Sequence, residues 1–417
     1  MLKYKNKNFC RLNFASFIAS RISFRSKRTF SKLIVRIAIT GIMLGLSVMI
    51  LSVAIVKGFK KEVGDRIQAF AGDIRISKVD LNASFENTPF NDNDTLVKRL
   101  LADKQITKVM PFATKNGIIK AKDEIEAIIM KGVDRSYDWS FLKQRLTTGR
   151  VIDFSDTTES KQEILISQYT ADRLKLKLGD KFVMYFIQQP LKKRPFKIVG
   201  IFDMGVEEVD KTFAIGDLAL IRRLDDWHKN QIGGYEVRTR YFENIEQAAA
   251  SANNVLPPDL KAFTITETYA SIFEWLKLLD VNTQVILVLM LAVAVINMIS
   301  ALLIMILERT SMIGMIKAMG ATNMAIQEIF MINAFYLIGL GMILGNLLGL
   351  GVCILQYQTH LFKLDQASYY MTFVPISINW LDVVLINAGT LFVCLLVLIV
   401  PSMLVTRISP VKAIRFK

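Results

Sequence analysis

The sequence predicts a membrane α-helical protein with four transmembrane helices and one large α+β domain outside the cytoplasm, inserted between the first and second helices. Three observations predict it. Of 417 residues, 52% are hydrophobic, above the share usual for a soluble domain, and the excess collects in four long runs. Positive charge collects at the two ends of the chain. Between the first and second runs lie roughly 225 residues with mixed strand and helix patterns.

The runs are 33–56, 283–307, 329–355 and 383–405, each roughly 23–27 residues. That length crosses a ~30 Å hydrocarbon core at 1.5 Å per residue. Ten cations lie from Lys3 to Arg36 with no acidic residue among them, and Arg407, Lys412, Arg415 and Lys417 close the chain, which accounts for nearly all of the net charge of +15. Short flanks rich in Lys and Arg stay cytoplasmic, so both termini are expected inside, as four spans also require. A nucleic-acid role is excluded, because no basic patch remains once the flanks are counted. The first run lacks a signal-peptide cleavage site and reads as an uncleaved anchor.

The order that follows is a basic arm (1–32), the first span, an external domain (57–282) and the second span. A cytoplasmic loop (308–328), the third span, a shorter external loop (356–382), the fourth span and a tail (406–417) complete it. In the arm, Leu12, Phe14, Phe17, Ile18, Ile22 and Phe24 sit among Arg and Lys. That pattern suits an interfacial helix on anionic membrane lipids, or a basic topogenic flank without fixed structure. The external domain shows strand-like runs at GDIRISKV, GIIKA, EAIIMKGV, KFVMYFI, FKIVGIF and GYEVRTR, and helical patterns near 94–102, 168–176, 217–229 and 243–254. These give the α+β assignment. Gln188 to Pro195 separates two strands as a hairpin loop. Pro257-Pro258 precedes a last strand and a capping box, Thr264-x-x-Glu267. A helical stalk over 264–282, with Tyr269, Phe273, Leu276 and Leu279 on one side, is expected to run into the second span.

No catalytic constellation is visible. There are two histidines, His228 and His360, and no H-E-x-x-H, G-x-S-x-G or metal-spaced cluster. No phosphate-cradling G-x-x-x-x-G-K-[ST] loop occurs, so any energy comes from a partner. Cys10, Cys353 and Cys394 all fall outside the external domain, which must therefore be held by its own core. The spans lack Asp, Glu, Lys and Arg of the kind an ion-coupled transporter needs; Asn297, Asn333, Asn346 and Asn387 supply interhelical hydrogen bonds or a substrate site. Gly41 and Gly45, and Gly341, Gly345 and Gly349, are spaced for close helix packing. Met43, Met49, Met290, Met298 and Met305 are ordinary core or lipid-facing residues, or an adaptable surface for acyl chains.

The loop Glu308-Arg309-Thr310-Ser311-Met312-Ile313-Gly314-Met315-Ile316-Lys317-Ala318-Met319-Gly320-Ala321-Thr322 and the terminal Ser409-Pro410-Val411-Lys412-Ala413-Ile414-Arg415 resemble two motifs of one family. These are the E-R-x-x-E-I-G-x-L-[RK]-A-[LM]-G-A loop and the terminal D-P-V-x-A-[LI]-R of FtsX-like permeases, the MacB or type VII ABC transporter superfamily. Phe17-Ile18-Ala19-x-Arg21, Lys57-Gly58-Phe59-Lys60-Lys61-Glu62, Glu163-Ile164-Leu165-Ile166-Ser167 and Leu178-Gly179-Asp180-Lys181 resemble the lipoprotein-releasing LolC/LolE permeases in particular. The resemblance implies a MacB-like core for the periplasmic domain and an inner-membrane location. It implies a P-loop ATPase dimer (LolD-like) that binds ATP and Mg, a second permease subunit in a homo- or heterodimer, lipoprotein substrates and a periplasmic carrier (LolA-like). ATPase coupling would fall to Glu308, Arg309, Gly314, Lys317, Ala318, Gly320 and Ala321. Met312 stands where the family loop carries a second acid.

A carrier-binding hook would fall at Gln189, Pro190, Lys192, Lys193, Arg194 and Pro195, where an ordinary hairpin turn is the other reading. Met43, Met49, Met290 and Met298 would line a lipoprotein cavity. A MacB-like exporter of peptides or drugs is the alternative within transport, though its ATPase is usually fused at an N-terminus that here leaves no room. An FtsX-type subunit controlling cell-wall hydrolases is the alternative outside transport, though its external domain is usually far smaller.

Overall fold

The computed structural model describes residues 29–79, 87–121, 124–156, 159–364, 371 and 373–403. Most of the basic arm and the terminal Pro-Val motif lie outside the described residues. The chain divides into two compact units, one built from the described residues up to Lys60, Leu276–Lys363 and the residues from Phe373 onward, the other chiefly from Lys61–Trp275.

Among the described residues, four helices are long and apolar enough to cross a membrane: Thr29–Ala71, Ala270–Glu308, Asn323–Thr359 and Trp380–Met403. Each of the first three outruns its apolar stretch. The first continues fifteen residues past position 56, where the external domain was expected to begin. The reason lies in Phe59, Val63, Ile67 and Phe70, which recur at helical spacing and are all buried. An apolar stripe keeps the segment helical after overall apolarity has ended. The expected stalk over 264–282 is in two pieces. Thr264 and Glu267 form the capping box and open a single turn, Ile265–Thr268; Tyr269 then leaves the helical conformation (ψ 46°) before Ala270 starts the long helix.

In the first unit, small residues set how closely the helices approach. A Cβ built on Gly341, Gly345 or Gly349 of the third helix would come within 2.8–3.1 Å of Ile42, of Leu46 and the Met43 carbonyl, or of Ser47, all on the first helix. Gly41 and Gly45 face the second helix instead, against Asn297 and against Met290 and Ala294. Asn346 and Asn387 join the third and fourth helices by a reciprocal amide pair of 2.7 and 2.9 Å. Asn333, fully buried, donates to the Met305 sulfur of the second helix. Cys353 and Cys394 are buried free thiols.

The second unit is α+β. Its strands are β1 (Ile74–Lys78), β2 (Phe90–Asn91), β3 (Ile106–Ala121), β4 (Glu124–Val133), β5 (Leu146–Gly149), β6 (Glu163–Ser167), β7 (Lys181–Phe186), β8 (Lys192–Phe202), β9 (Phe213–Asp217), β10 (Gln231–Ile232), β11 (Gly234–Thr239) and β12 (Leu260–Thr264). Ten pair in the order β12-β1-β11-β3-β4-β9-β6-β8-β5, with β7 joining β3 to β8; β2 and β10 pair separately. The sixteen-residue β3 serves two lobes along one edge, because residues 106–112 pair with β11 and residues 117–120 with β7. Helices Asp94–Leu101 and Ile245–Val255 pack on the first lobe, and Gln168–Leu174 and Leu218–Leu224 on the second. Strands β5, β6 and β9 did not stand out as strands in the sequence. They are short, and β6 and most of β9 are buried, so they lack the alternation that marks a half-exposed strand.

Candidate functional site

The connector between the second and third long helices is itself structured. After Glu308 the chain turns at Arg309 (φ −102°, ψ 14°) into a nine-residue helix, Thr310–Ala318. Gly320 follows at φ +93°, a left-handed conformation that L side chains adopt only at a cost. Thr322 then caps the third helix, its hydroxyl accepting from the Ala325 N–H at 3.3 Å. Turn, helix, left-handed glycine and cap together hold a short helix between two long ones.

That short helix has two faces. Ile313 and Gly314 are buried, Ile313 within the core shared by all four long helices, and Met312, Ile316 and Ala321 pack against that core. Met312 thus fills the position of the missing acid with an apolar contact. Ser311, Met315, Ala318, Met319 and Gly320 are exposed. Among the expected coupling residues, Ala318 and Gly320 lie on the open face, Glu308, Arg309, Lys317 and Ala321 are half-buried, and Gly314 faces the core. Partial burial holds the Lys317 ammonium below its ordinary pKa. Met319 is 79% exposed and Met324, one turn into the third helix, 71%. With Met315 they offer flexible apolar side chains suited to an adaptable contact.

The expected hook is shorter than the loop 188–195. Phe186 pairs with Lys192, so the turn is 187–191, and Lys192, Lys193, Arg194 and Pro195 belong to β8. Pro195 is tolerated because β8 meets β6 only from Lys197 onward, which leaves one edge free at that point. The turn is tethered: the Gln188 amide and the Lys192 ammonium both donate to the Leu224 carbonyl, at 3.0 and 2.6 Å. Its tip bears Gln189, the cis Pro190 and two exposed apolar residues, Ile187 and Leu191.

Met43, Met49, Met290 and Met298 do not share one cluster, although Met49 and Met290 meet in the same one. Met298 is buried in the cluster around Phe330, while Met49 belongs to a second cluster with Cys353, against which Met290 packs. Met43 is half-buried and its carbonyl lies against Gly345. Among the described residues no group of His, Cys, Asp and Glu could hold a metal ion.

One nexus was not anticipated. Near Gly58 the first helix is tied to both neighbours: Lys60 pairs with Asp280 of the second helix at 2.5 Å, and Lys57 with Asp382 of the fourth at 2.6 Å. The segment leading into the fourth helix crosses here. Ser377 donates to the Ala54 carbonyl at 3.0 Å, and a Cβ on Gly58 would come within 2.6 Å of the Pro375 carbonyl. Two lysines three apart share a helix face, which is the only sign the sequence carried.

A family model described as the MacB-like periplasmic core domain matches residues 37–255, and one described as the FtsX-like permease C-terminal matches residues 284–410. The chain is similar to the lipoprotein-releasing system transmembrane protein LolC of Xylella fastidiosa, at 22% identity over 94% of this chain and 97% of the relative. It is similar to LolE of Haemophilus influenzae at 21% identity, over 94% and 96% respectively. The periplasmic region of MacB from Actinobacillus actinomycetemcomitans is similar at 14% identity, covering 50% of this chain and 97% of that one with a TM-score of 0.33.

Proposed function

The chain belongs to the FtsX-like permeases that carry a MacB-like periplasmic core domain, and from that premise we propose that it is the permease subunit of an ABC transporter that extracts lipoproteins from the inner membrane. The observation that carries the reading is the end-to-end match with relatives named as lipoprotein-releasing proteins. It covers 94% of this chain and 96–97% of those relatives. In this reading the protein is a multi-pass inner-membrane subunit with both termini in the cytoplasm, its α+β domain in the periplasm, and no chemistry of its own.

Work is supplied by a separate P-loop ATPase dimer that binds ATP and Mg. Its closure pushes on the connector 308–322, where Met315, Ala318, Met319 and Gly320 are among the exposed groups. Ile313 and Gly314 pass the push into the four-helix core. The first and second long helices continue it toward the periplasmic domain, and a lipoprotein is expelled toward a soluble carrier. A second permease subunit, identical or related, completes the pore. Each methylene withdrawn from lipid costs about 0.8 kcal/mol, so acylated cargo does not leave unaided and ATP is a fitting requirement.

The MacB-like match of residues 37–255 favours one other reading, export of a peptide or drug. Depletion separates the two. If lipoprotein release is the function, depleting the protein leaves pulse-labelled lipoproteins in the inner membrane; release at the normal rate, with new sensitivity to exported compounds, points to the exporter instead.

A further inference from the structure

The first long helix does not simply stop at Ala71. The last carbonyls of a helix lack partners within it. Here they are taken by side chains from two strands of the sheet. Arg238 of β11 donates to the carbonyls of Gln68 and Ala69, the latter at 2.8 Å. Lys131 of β4 donates to the Phe70 carbonyl and also pairs with Glu236 of β11 at 2.7 Å. The Lys131 side chain is only 2% exposed, and its ammonium lies 4.5 Å from the Phe70 ring and 5.0 Å from that of Tyr137. Burial lowers its pKa to about 8, with Glu236 opposing the shift. Gly72, at φ +75°, returns its N–H to Gln68 and turns the chain into β1.

The second long helix starts from the same place. Asp73 donates its N–H to the Val237 carbonyl, accepts from the Thr239 N–H at 2.6 Å, and offers its own carbonyl to Ile265, the first residue of the turn that leads into Ala270–Glu308. Arg75 lies 4.4 Å from the Phe112 ring. Charge explains why these parts belong together. Lys131, Arg75 and Arg238 outnumber Glu236 and Asp73 by one cation, and the helix C-terminus carries about half a negative charge. With the helix end withdrawn, Lys131 and Arg238 would be buried cations short of acceptors, a strongly unfavourable state.

We propose that Lys131, Glu236 and Arg238 form a mechanical joint that fixes the end of the first long helix to β4 and β11, so that displacement of the helix moves the sheet with it. The three are positioning residues, and the inference rests on the reading that motion produced by a separate ATPase is delivered to the periplasmic domain.

The test uses the full chain assembled with its ATPase in lipid discs, in a background with the three cysteines replaced. A fluorophore on Lys193→Cys of β8, which is exposed, and acceptor-labelled lipid headgroups report the distance between sheet and bilayer with and without nucleotide. Lys131→Met with Glu236→Leu removes two of the joint's three members while replacing a buried ion pair by apolar groups, an exchange that domains often tolerate. Arg238→Lys keeps the charge but loses the planar fork that spans the two carbonyls. The expected result for the double variant is ATP turnover within about twofold of wild type, no nucleotide-dependent distance change, and release slowed about tenfold or more. Arg238→Lys is expected to give the same split at about threefold. A wild-type distance change in both variants, or ATP turnover that falls in step with release, overturns the joint. A wild-type complex that shows the distance change but releases no lipoprotein overturns the proposed function and leaves the joint standing.

Discussion

Gly320 carries the clearest single-residue consequence, because its φ of +93° ends the connector helix and aims the chain into the third span. No atom lies within 4 Å of a Cβ placed there, so a substitution meets backbone strain and no clash. Gly320→Val is expected to cost about 1–2 kcal/mol locally and to weaken retention of the ATPase in detergent pull-downs, with Gly339→Val, another open position, as the neutral control. Asp138 makes a second prediction, in pH. Partial burial works to raise its pKa, but the Lys108 ammonium at 2.5 Å and Ser140 prevail and hold it at about 2, below the ordinary 3.8. A depressed carboxyl contributes stability above its unfolded pKa and loses it as pH falls through the folded one. Thermal melts of the wild type should therefore fall more steeply between about pH 4 and 2 than those of Asp138→Asn; parallel curves would show that Lys108 and Ser140 do not hold the carboxylate.

Among the elements, the amide pair between the third and fourth helices is the sharpest test of packing. Asn346→Leu leaves Asn387 without its partner and should cost about 0.6 kcal/mol, at most about 1.7. Replacing both by Leu should recover part of that loss, and a double-mutant cycle in detergent measures the coupling. A sum of independent effects would mean that the pair contributes nothing beyond its parts. The ion pairs near Gly58 make a related prediction. Cysteines at Lys60 and Asp280 should cross-link the first and second helices and stop release until a reductant is added. Normal release with the link intact would show that this seam does not open.

The elements also show what could be read from the sequence. The four spans were legible because twenty-odd apolar residues have no other stable home, and the Thr264-x-x-Glu267 box because capping is a local contact. Helix length beyond the spans was half legible: the stripe Phe59, Val63, Ile67, Phe70 was present but masked by Lys60, Lys61 and Asp65. The break at Tyr269 gave no clear signal, since neither Gly nor Pro marks it. Lys131 and Glu236, separated by 105 positions, could be brought together only by strand order, which no local pattern encodes. The methionines show the converse, because identical residues at helical spacing can face different clusters.

At the scale of the whole molecule, the described residues form four long apolar helices and one α+β unit. The chain's net positive charge collects at the ends, its longest apolar runs form four helices, and its α+β unit is held by strand pairing and by the buried cluster around Lys131. Purified alone it should show no ATP hydrolysis, and purified from its host it should bring down a small P-loop ATPase. The most direct measurement is lipoprotein release from liposomes that contain the purified permease complex, with the ATPase and a soluble acyl-binding carrier supplied. The account predicts that labelled lipoprotein moves to the carrier only when ATP, the ATPase and this chain are all present, and that Gly320→Val slows the transfer. Transfer at the same rate without this chain, or ATP hydrolysis with no transfer under any condition, would contradict it.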